Sequence, residues 1–336
     1  MRIFILICYN ILKFKVFRLY NGENMFQVYK NYNKELKKKI KLNKCKIGIA
    51  FGGGGTRGLA HIGVIRAFEE NGIVFDEVAG TSAGSIIGAL YAYGVTSDEM
   101  YKMAKSLDAG EIRNSKIPFV PSKSDGLINI IKNNIGDVHF EDMKKSLTVV
   151  AVDMYTGQEV HIREGNVAKA VAGSCSVPVI FRPVEFEKYM LADGGLQNNI
   201  PADVVRNMGC KYVISVDVNP TRGTGTKSTK LVDQISACIG IAIKANCVKG
   251  ELFSDIMIKP NLSKFKNTSL DGLDEMIEIG YQEAMKMMPE IKKLLKMDKT
   301  RRFFQFFNKN KQKILNESKL ESVELSQDES NTKETT

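Results

Sequence analysis

The sequence predicts an α/β fold with a largely parallel sheet, and three features carry that reading. Two short apolar runs, Ile47 to Phe51 and Ile73 to Ala79, each enter a glycine-bounded turn and then a stretch of helical periodicity. The same alternation recurs farther along, through Leu147 to Asp153, Asn166 to Ala172 and Tyr212 to Val218. At 336 residues with 43% hydrophobic content, the chain also has material for one domain with a sizeable core.

The first turn, Gly52-Gly-Gly-Gly-Thr-Arg-Gly58, brings bare backbone N–H groups to a ligand, because no Cβ blocks the approach; such a turn binds negative charge. Leu59, Ile62, Ile65 and Phe68 then fall at helical spacing, and Asn71-Gly72 makes the stop. The second turn, Gly80-Thr-Ser-Ala-Gly84, has the G-x-S-x-G pattern, which sets Ser82 on a sharp strand-to-helix bend with a helix N-terminus beneath it. Together the two turns propose an oxyanion hole and a nucleophile. Ala83 to Tyr93 reads as a helix closed by Gly94, and its small residues Ala83, Gly84, Ser85 and Gly88 let it lie close to the sheet.

Thr96-Ser-Asp-Glu99 reads as the next helix start, with acids in its first turn. Pro118, Pro121 and Gly126 bound a loop suited to a lid or entrance, followed by a helix over Leu127 to Asn134. Leu147 to Asp153 is an apolar strand, Tyr155-Thr-Gly157 a turn, and Glu159 to Arg163 a strand returning as a hairpin. A helix over Asn166 to Ala172 ends in Gly173-Ser-Cys-Ser-Val-Pro178. Tyr189 to Ala192 leads into Asp193-Gly-Gly195, and Tyr212 to Val218 is a buried strand.

Charge divides the chain. The formal net charge is +10, yet residues 47–290 hold 25 Lys and Arg against 29 acids, while residues 1–46 hold 12 against 2 and residues 291–314 hold 9 against 1. The expected organisation is a basic extension over 1–44, a catalytic domain over 45–290, and a basic, aromatic segment with a polar tail over 291–336. Basic ends suggest an anionic surface, membrane lipid or nucleic acid, and no nucleic-acid motif is visible. Phe303, Phe304, Phe306 and Phe307 lie among Arg301, Arg302, Lys309, Lys311 and Lys313, the composition of an interfacial helix or of one docked on the body. Glu317 to Thr336 is polar enough to be disordered.

The apolar run Ile3 to Leu12 is too short to span a membrane and is followed by no small-residue cleavage site. It reads as a membrane-surface helix, or as untranslated if synthesis starts at Met25, since Gly22-Glu23 can be encoded as a purine-rich ribosome-binding site. Six cysteines show no C-x-x-C pairing and no ligand spacing with His61, His139 or His161. They read as reduced thiols in a cytoplasmic protein, with no metal and no cofactor implied.

Several chemistries compete for the glycine turns. Walker A needs Lys-Ser/Thr after its last glycine, and Leu59-Ala60 follows Gly58. A Rossmann-type dinucleotide site remains an alternative, with Gly53-x-Gly55-x-x-Gly58 after a strand and Asp76 as the ribose carboxylate. A non-catalytic lipid-binding module is another. A Ser-Asp-His triad would need Asp125 or Asp153 with His139 or His161, because no histidine follows Asp193.

Gly53-Gly-Gly-Thr-Arg-Gly58, Gly80-Thr-Ser-Ala-Gly84 and Asp193-Gly-Gly195, in this order and spacing, resemble the three signatures of the patatin-like phospholipases. Ser174-x-Ser-Val-Pro178 and Phe181-Arg-Pro-Val184 are also similar to segments of that family, and the likeness runs over about residues 45 to 220. It implies a three-layer α/β/α fold and a lipid acyl hydrolase of phospholipase A or lysophospholipase type. Ser82 would be its nucleophile, Asp193 its base, and Gly53, Gly54 and Gly55 its oxyanion hole. Arg57, Gly58, Gly80, Gly84, Gly194 and Gly195 would support them. The implied partners are a lipid substrate and an anionic membrane surface, met peripherally at its inner face through 301–313. Departures from the pattern are the extra glycine at Gly52 and the two unmatched ends.

Overall fold

Parallel pairing builds the centre of the sheet. In the computed structural model, which describes residues 47–107, 124–219 and 228–296, β1 (Ile47–Phe51) lies between β2 (Glu77–Thr81) and β7 (Tyr212–Val216), parallel to both. β3 (Ser146–Asp153) extends the parallel run beyond β2, and β8 (Ile256–Ile258) extends it beyond β7. Three strands are antiparallel: β4 (Glu159–Ile162) and β6 (Tyr189–Asp193) on β3, and β5 (Val184–Phe186) on β6. Buried on both faces, the central strands read as continuous apolar runs, as parallel strands do.

Helices cover both faces. Ala50, Ala79 and Val150 of the sheet pack with Ala202, Val204 and Val205 of α6 (Ala202–Asn207) in one buried cluster. Against the other face lie α2 (Ala83–Tyr93), whose Gly88 comes up to Val78, and α5 (Val167–Ser174), whose Gly173 comes up to Leu191. The result is the expected three-layer α/β/α sandwich. The other helices are α1 (Ala60–Glu70), α3 (Ser97–Ser106), α4 (Asp125–Ile135), α7 (Leu231–Ala245) and α8 (Val248–Phe253). The chain divides into two compact units, Met1–Ala284 and Met285–Thr336; residues 273–284 of the first and 285–296 of the second are helical.

Local chemistry sets most boundaries where the sequence predicts them. Gly94 takes φ 103 at the end of α2, and Thr96 and Glu99 form a reciprocal capping box on α3. Asn166 caps α5 by accepting from Lys169 N at 3.0 Å. One boundary moves: β2 begins at Glu77, not Ile73. Phe75 is drawn into the core edge-to-face against Phe68, with ring centroids 4.9 Å apart, and its N–H donates to the Tyr91 hydroxyl at 3.2 Å. That packing leaves residues 73–75 outside the ladder. The N-terminal extension 1–44, the entrance loop at Pro118 and Pro121, the run 301–313 and the tail from Glu317 lie outside the described residues.

The glycine turn leaves β1 between β2 and β7, where the chain's winding changes direction. Open α/β sheets bind ligands at the carboxyl end of such a point.

Candidate active site

Ser82 occupies a single-residue elbow between β2 and α2, with φ 52 and ψ −128. A non-glycine residue held there stores about 1–3 kcal/mol of backbone strain. The surroundings hold it in place. Ser82 N–H donates to Ser174 Oγ at 2.8 Å, and the Ser174 hydroxyl donates to Val150 O at 2.6 Å. The Ser82 carbonyl accepts from both the N–H and the hydroxyl of Ser85 at 2.7 Å. Gly84 has to be glycine, because a Cβ there would stand 2.2 Å from Phe51 O, at the point where α2 starts against β1. Gly80 lies against Gly84 across the same elbow, and Gly58 lies against Ala83.

Sheet register brings Asp193 to this elbow. Val150 of β3 pairs with Thr81 on one side and His161 on the other; Ala151 pairs with Asp193 and Val160. Because β4 occupies one edge of β3 through both residues, Thr81 and Asp193 lie consecutively on the other edge. β6 thus arrives antiparallel at the point where β2 turns out of the sheet. Paired residues share a face and successive ones alternate. Thr81 therefore faces α6 with Val150, while Asp193 faces the side of α2 and α5. Asp193 is 2% exposed, accepts from Gly195 N at 2.8 Å through Oδ1, and donates its own N–H to Ser176 O at 3.0 Å. Gly194 makes the approach possible, since a Cβ on it would stand 2.2 Å from Val150 O and 3.1 Å from Thr81 Cγ2.

Buried Cys175 adjoins the elbow, with its Sγ 3.9 Å from Ser85 Oγ. Burial pushes its thiol pKa up, the Asp193 carboxylate adds to that, and hydrogen bonds with Ser85 and Ser82 work the other way.

The three nominated oxyanion amides are not alike. Gly53 N–H donates to Asn199 O at 3.1 Å, because the segment after the Asp193 turn runs alongside the glycine loop. That departs from the sequence expectation, which takes Gly53 as a donor with the other two. Among the described residues, no group engages the N–H of Gly54 or Gly55. The loop is clamped through the Gly53 carbonyl, which accepts from Asn219 Nδ2 at 2.8 Å and Asn199 Nδ2 at 3.3 Å. Arg57 works behind it: Nη1 donates to Asn219 Oδ1 at 2.9 Å, while Nε and Nη2 hold Phe265 O at 3.0 and 2.6 Å. His61, wholly buried, bonds Gly52 O through Nε2 at 2.8 Å. Burial lowers its pKa to about 4, so the ring is neutral and Nε2 is the donor.

Residues behind the rival readings lie elsewhere. Asp76 stands at the start of β2, where it accepts from Ile47 N at 2.8 Å. The glycine loop is at the far end of β1, about 16 Å along a five-residue strand, so Asp76 is at the wrong end of the sheet for a ribose carboxylate. His161 bonds Glu159 at 2.7 Å, and His139 lies 3.6 Å from Glu141; both rings are exposed. Asp153 caps its own turn, accepting from Tyr155 N, Thr156 Oγ1 and Met190 N. Asp125 sits in the first turn of α4. None of these bonds reaches Ser82. Among the described residues, no group of three or more His, Cys, Asp or Glu could hold a metal ion.

Asn199 and Asn219 escaped the sequence reading. Their signal was faint: a carboxamide shortly after Asp193-Gly-Gly, and another after an apolar strand.

Residues 49–206 match the family model described as Patatin-like phospholipase. An uncharacterized NTE family protein of Mycobacterium tuberculosis is 34% identical over 186 residues, covering 53% of this chain and 32% of the relative. Neuropathy target esterase sws of Drosophila melanogaster is 26% identical over 309 residues, covering 82% of this chain and 21% of the relative. Among solved structures, VipD from Legionella pneumophila aligns with TM-score 0.43 and 14% identity, over 74% of this chain and 67% of that one. The chain spans about a third of the mycobacterial relative and about a fifth of the Drosophila one.

Proposed function

We propose that the chain, whose residues 49–206 match the family model described as Patatin-like phospholipase, is a serine acyl hydrolase that cleaves carboxylic ester bonds of lipids, with Ser82 as nucleophile and Asp193 as base. The observation that carries the reading is the consecutive seating of Thr81 and Asp193 on one edge of β3, which sets a buried carboxylate beside the strained elbow. A catalytic domain over 45–290 contains every residue involved.

In the first half-reaction Ser82 Oγ attacks the ester carbonyl and its proton passes to Asp193. The oxyanion is held by Gly54 and Gly55, the two loop amides that no group among the described residues engages. The alcohol leaves with the proton from Asp193. Water then attacks the acyl-Ser82, gives a proton to Asp193, and Ser82 Oγ departs with it as the fatty acid is released. A carboxylate is a weaker base than imidazole, and the oxyanion donors offset this, each worth about 3 kcal/mol in comparable sites.

The basic, aromatic run 301–313 suits contact with an anionic membrane from the cytoplasmic side. Among the described residues, no helix is long and apolar enough to cross a membrane.

The test is a panel of esters, from short nitrophenyl esters to phospholipid vesicles, run with fluorophosphonate labelling on the parent and on Ser82→Ala. The parent should hydrolyse and label while Ser82→Ala does neither, with an unchanged circular dichroism spectrum. Vesicle binding without turnover by the parent would instead make the protein a lipid-binding module.

A further inference from the structure

Asn199 is 2% exposed and sits between the glycine loop and the Asp193 turn. Its Nδ2 donates to Gly53 O at 3.3 Å and to Cys247 Sγ at 3.5 Å. A carbonyl only accepts, so the Gly53 contact decides which end of the amide faces it and turns Oδ1 the other way. Among the described residues, no protein group donates to that oxygen.

Two glycines mark where Oδ1 stands. The point a Cβ would occupy on Gly53 lies 2.7 Å from Asn199 Oδ1 and 3.0 Å from Ser82 Cβ. The corresponding point on Gly195 lies 2.9 Å from Asn199 Oδ1 and 3.0 Å from Asp193 Oδ1. One acceptor thus adjoins both members of the Ser82 and Asp193 pair, across gaps that side chains at 53 and 195 would fill. A nearly buried carbonyl oxygen with no protein donor calls for water or a ligand as its partner.

We propose that Asn199 Oδ1 accepts a hydrogen bond from the water that hydrolyses the acyl-Ser82, making Asn199 a catalytic residue of the second half-reaction. The inference rests on the serine acyl hydrolase reading above. In that step the water oxygen bonds to the acyl carbon and the Ser82 Oγ–acyl bond breaks. One water proton goes through Asp193 to Ser82 Oγ. The other stays on the carboxylic acid that forms, and this is the hydrogen Oδ1 accepts while the water's lone pair is aimed at the carbonyl. The first half-reaction has no such water, so Asn199 acts after acylation.

The experiment compares the parent with Asn199→Ala and Asn199→Ser on a nitrophenyl ester, reading four quantities: the fluorophosphonate labelling rate, steady turnover, acyl-enzyme by intact mass, and the split between hydrolysis and methanolysis at fixed methanol. Methanol carries a single exchangeable proton, the one Asp193 takes, and so has none for Oδ1. Turnover should fall about tenfold or more, well beyond any fall in the labelling rate that the lost Nδ2 bond to Gly53 O causes, and acyl-enzyme should accumulate. Product should shift toward the methyl ester. A merely structural role would slow both acceptors alike and leave the split unchanged, which overturns the proposal; so does unchanged turnover. If Asn199→Ala fails to fold, Asn199→Ser carries the same test. A parent that neither labels nor forms an acyl-enzyme defeats the hydrolase reading itself, a result distinct from an unshifted split.

Discussion

Thr81 and Asp193 are 112 residues apart in the chain and occupy consecutive positions along one edge of β3, opposite Val150 and Ala151. One strand supplies the reference for both. The ladder that fixes Thr81 fixes the elbow that follows it, and the antiparallel ladder of β6 delivers the carboxylate to the same spot. Hydrogen bonds from Ser82 N–H to Ser174 Oγ and from Asp193 N–H to Ser176 O tie the elbow and the carboxylate to a common segment, residues 174–176. Placement of this pair depends on backbone register, which a side-chain substitution leaves largely intact.

Asp193→Asn is therefore expected to keep the fold and lower turnover by two orders of magnitude or more, about the loss seen when a general base is removed. Changing His139 and His161 together should leave turnover within about twofold, because both are exposed and paired with Glu141 and Glu159. Steady-state rates on a soluble short-chain ester read both results. A double-histidine variant as impaired as Asp193→Asn would defeat the dyad.

Gly194→Ala tests the register itself. The added methyl would meet Val150 O at 2.2 Å, backbone against backbone, with Thr81 Cγ2 at 3.1 Å behind it. The turn has to move, carrying Asp193 away from Ser82. Thermal melts should show a destabilisation of about 1–3 kcal/mol, as for an overpacked core site, and turnover should fall far more than the melting shift explains. Gly157→Ala is the contrast, since nothing lies within 4 Å of a Cβ there and only its φ of 68 is strained. Activity retained by Gly194→Ala would mean that the turn is not tightly seated on β3.

Much of this was legible in the sequence because the chemistry is local. Ser82, Gly80 and Gly84 lie within five residues of one another, and G-x-S-x-G states the elbow directly. The boundaries of α2 and α3 followed from Gly94 and Thr96 in the same way. What could not be read was long-range. The commitment of Gly53 N–H to Asn199, and the Arg57–Asn219 clamp, join residues 146 and 162 positions apart. The sequence suggests one strand over Ile73 to Ala79 although Asp76 and Glu77 interrupt it; tertiary packing of Phe75 takes residues 73–75 out of the ladder and leaves Asp76 just ahead of β2. The region after Val218 gave no periodic signal that was read, and α7, α8 and β8 went unseen.

Asn219→Ala should separate loop geometry from stability. It removes the 2.8 Å bond to Gly53 O and the Oδ1 acceptor of Arg57 Nη1, while Arg57 keeps Phe265 O and Gly53 O keeps Asn199. The expected cost in stability is about 1–2 kcal/mol. A loosened loop should also lower kcat about tenfold with KM little changed, since the amides matter most once the oxyanion has formed. A pure KM effect would argue that the loop contacts substrate and not the developing charge.

Acid should unfold the protein in two separable stages. Burial holds the His61 pKa at about 4, against 6.5 for an ordinary histidine, with the Gly52 carbonyl bond opposing only in part. As pH falls through 6.5 the unfolded chain takes up this proton and the folded one does not. Stability is therefore complete above pH 6.5 and declines between 6.5 and 4, by about 3 kcal/mol in all. Glu159 works lower down. Burial favours its protonation, but hydrogen bonds from His161, Lys249 and Asn198 outweigh this and hold its pKa at about 2, against 4.5 ordinarily. Its contribution is present above pH 4.5 and is lost between 4.5 and 2. Urea unfolding at pH 7.5, 6, 5 and 4 should show the upper stage in the parent, and His61→Gln, which keeps a donor for Gly52 O but cannot titrate, should flatten it. Equal slopes in parent and variant between pH 6.5 and 4 would mean that His61 is not the group responsible.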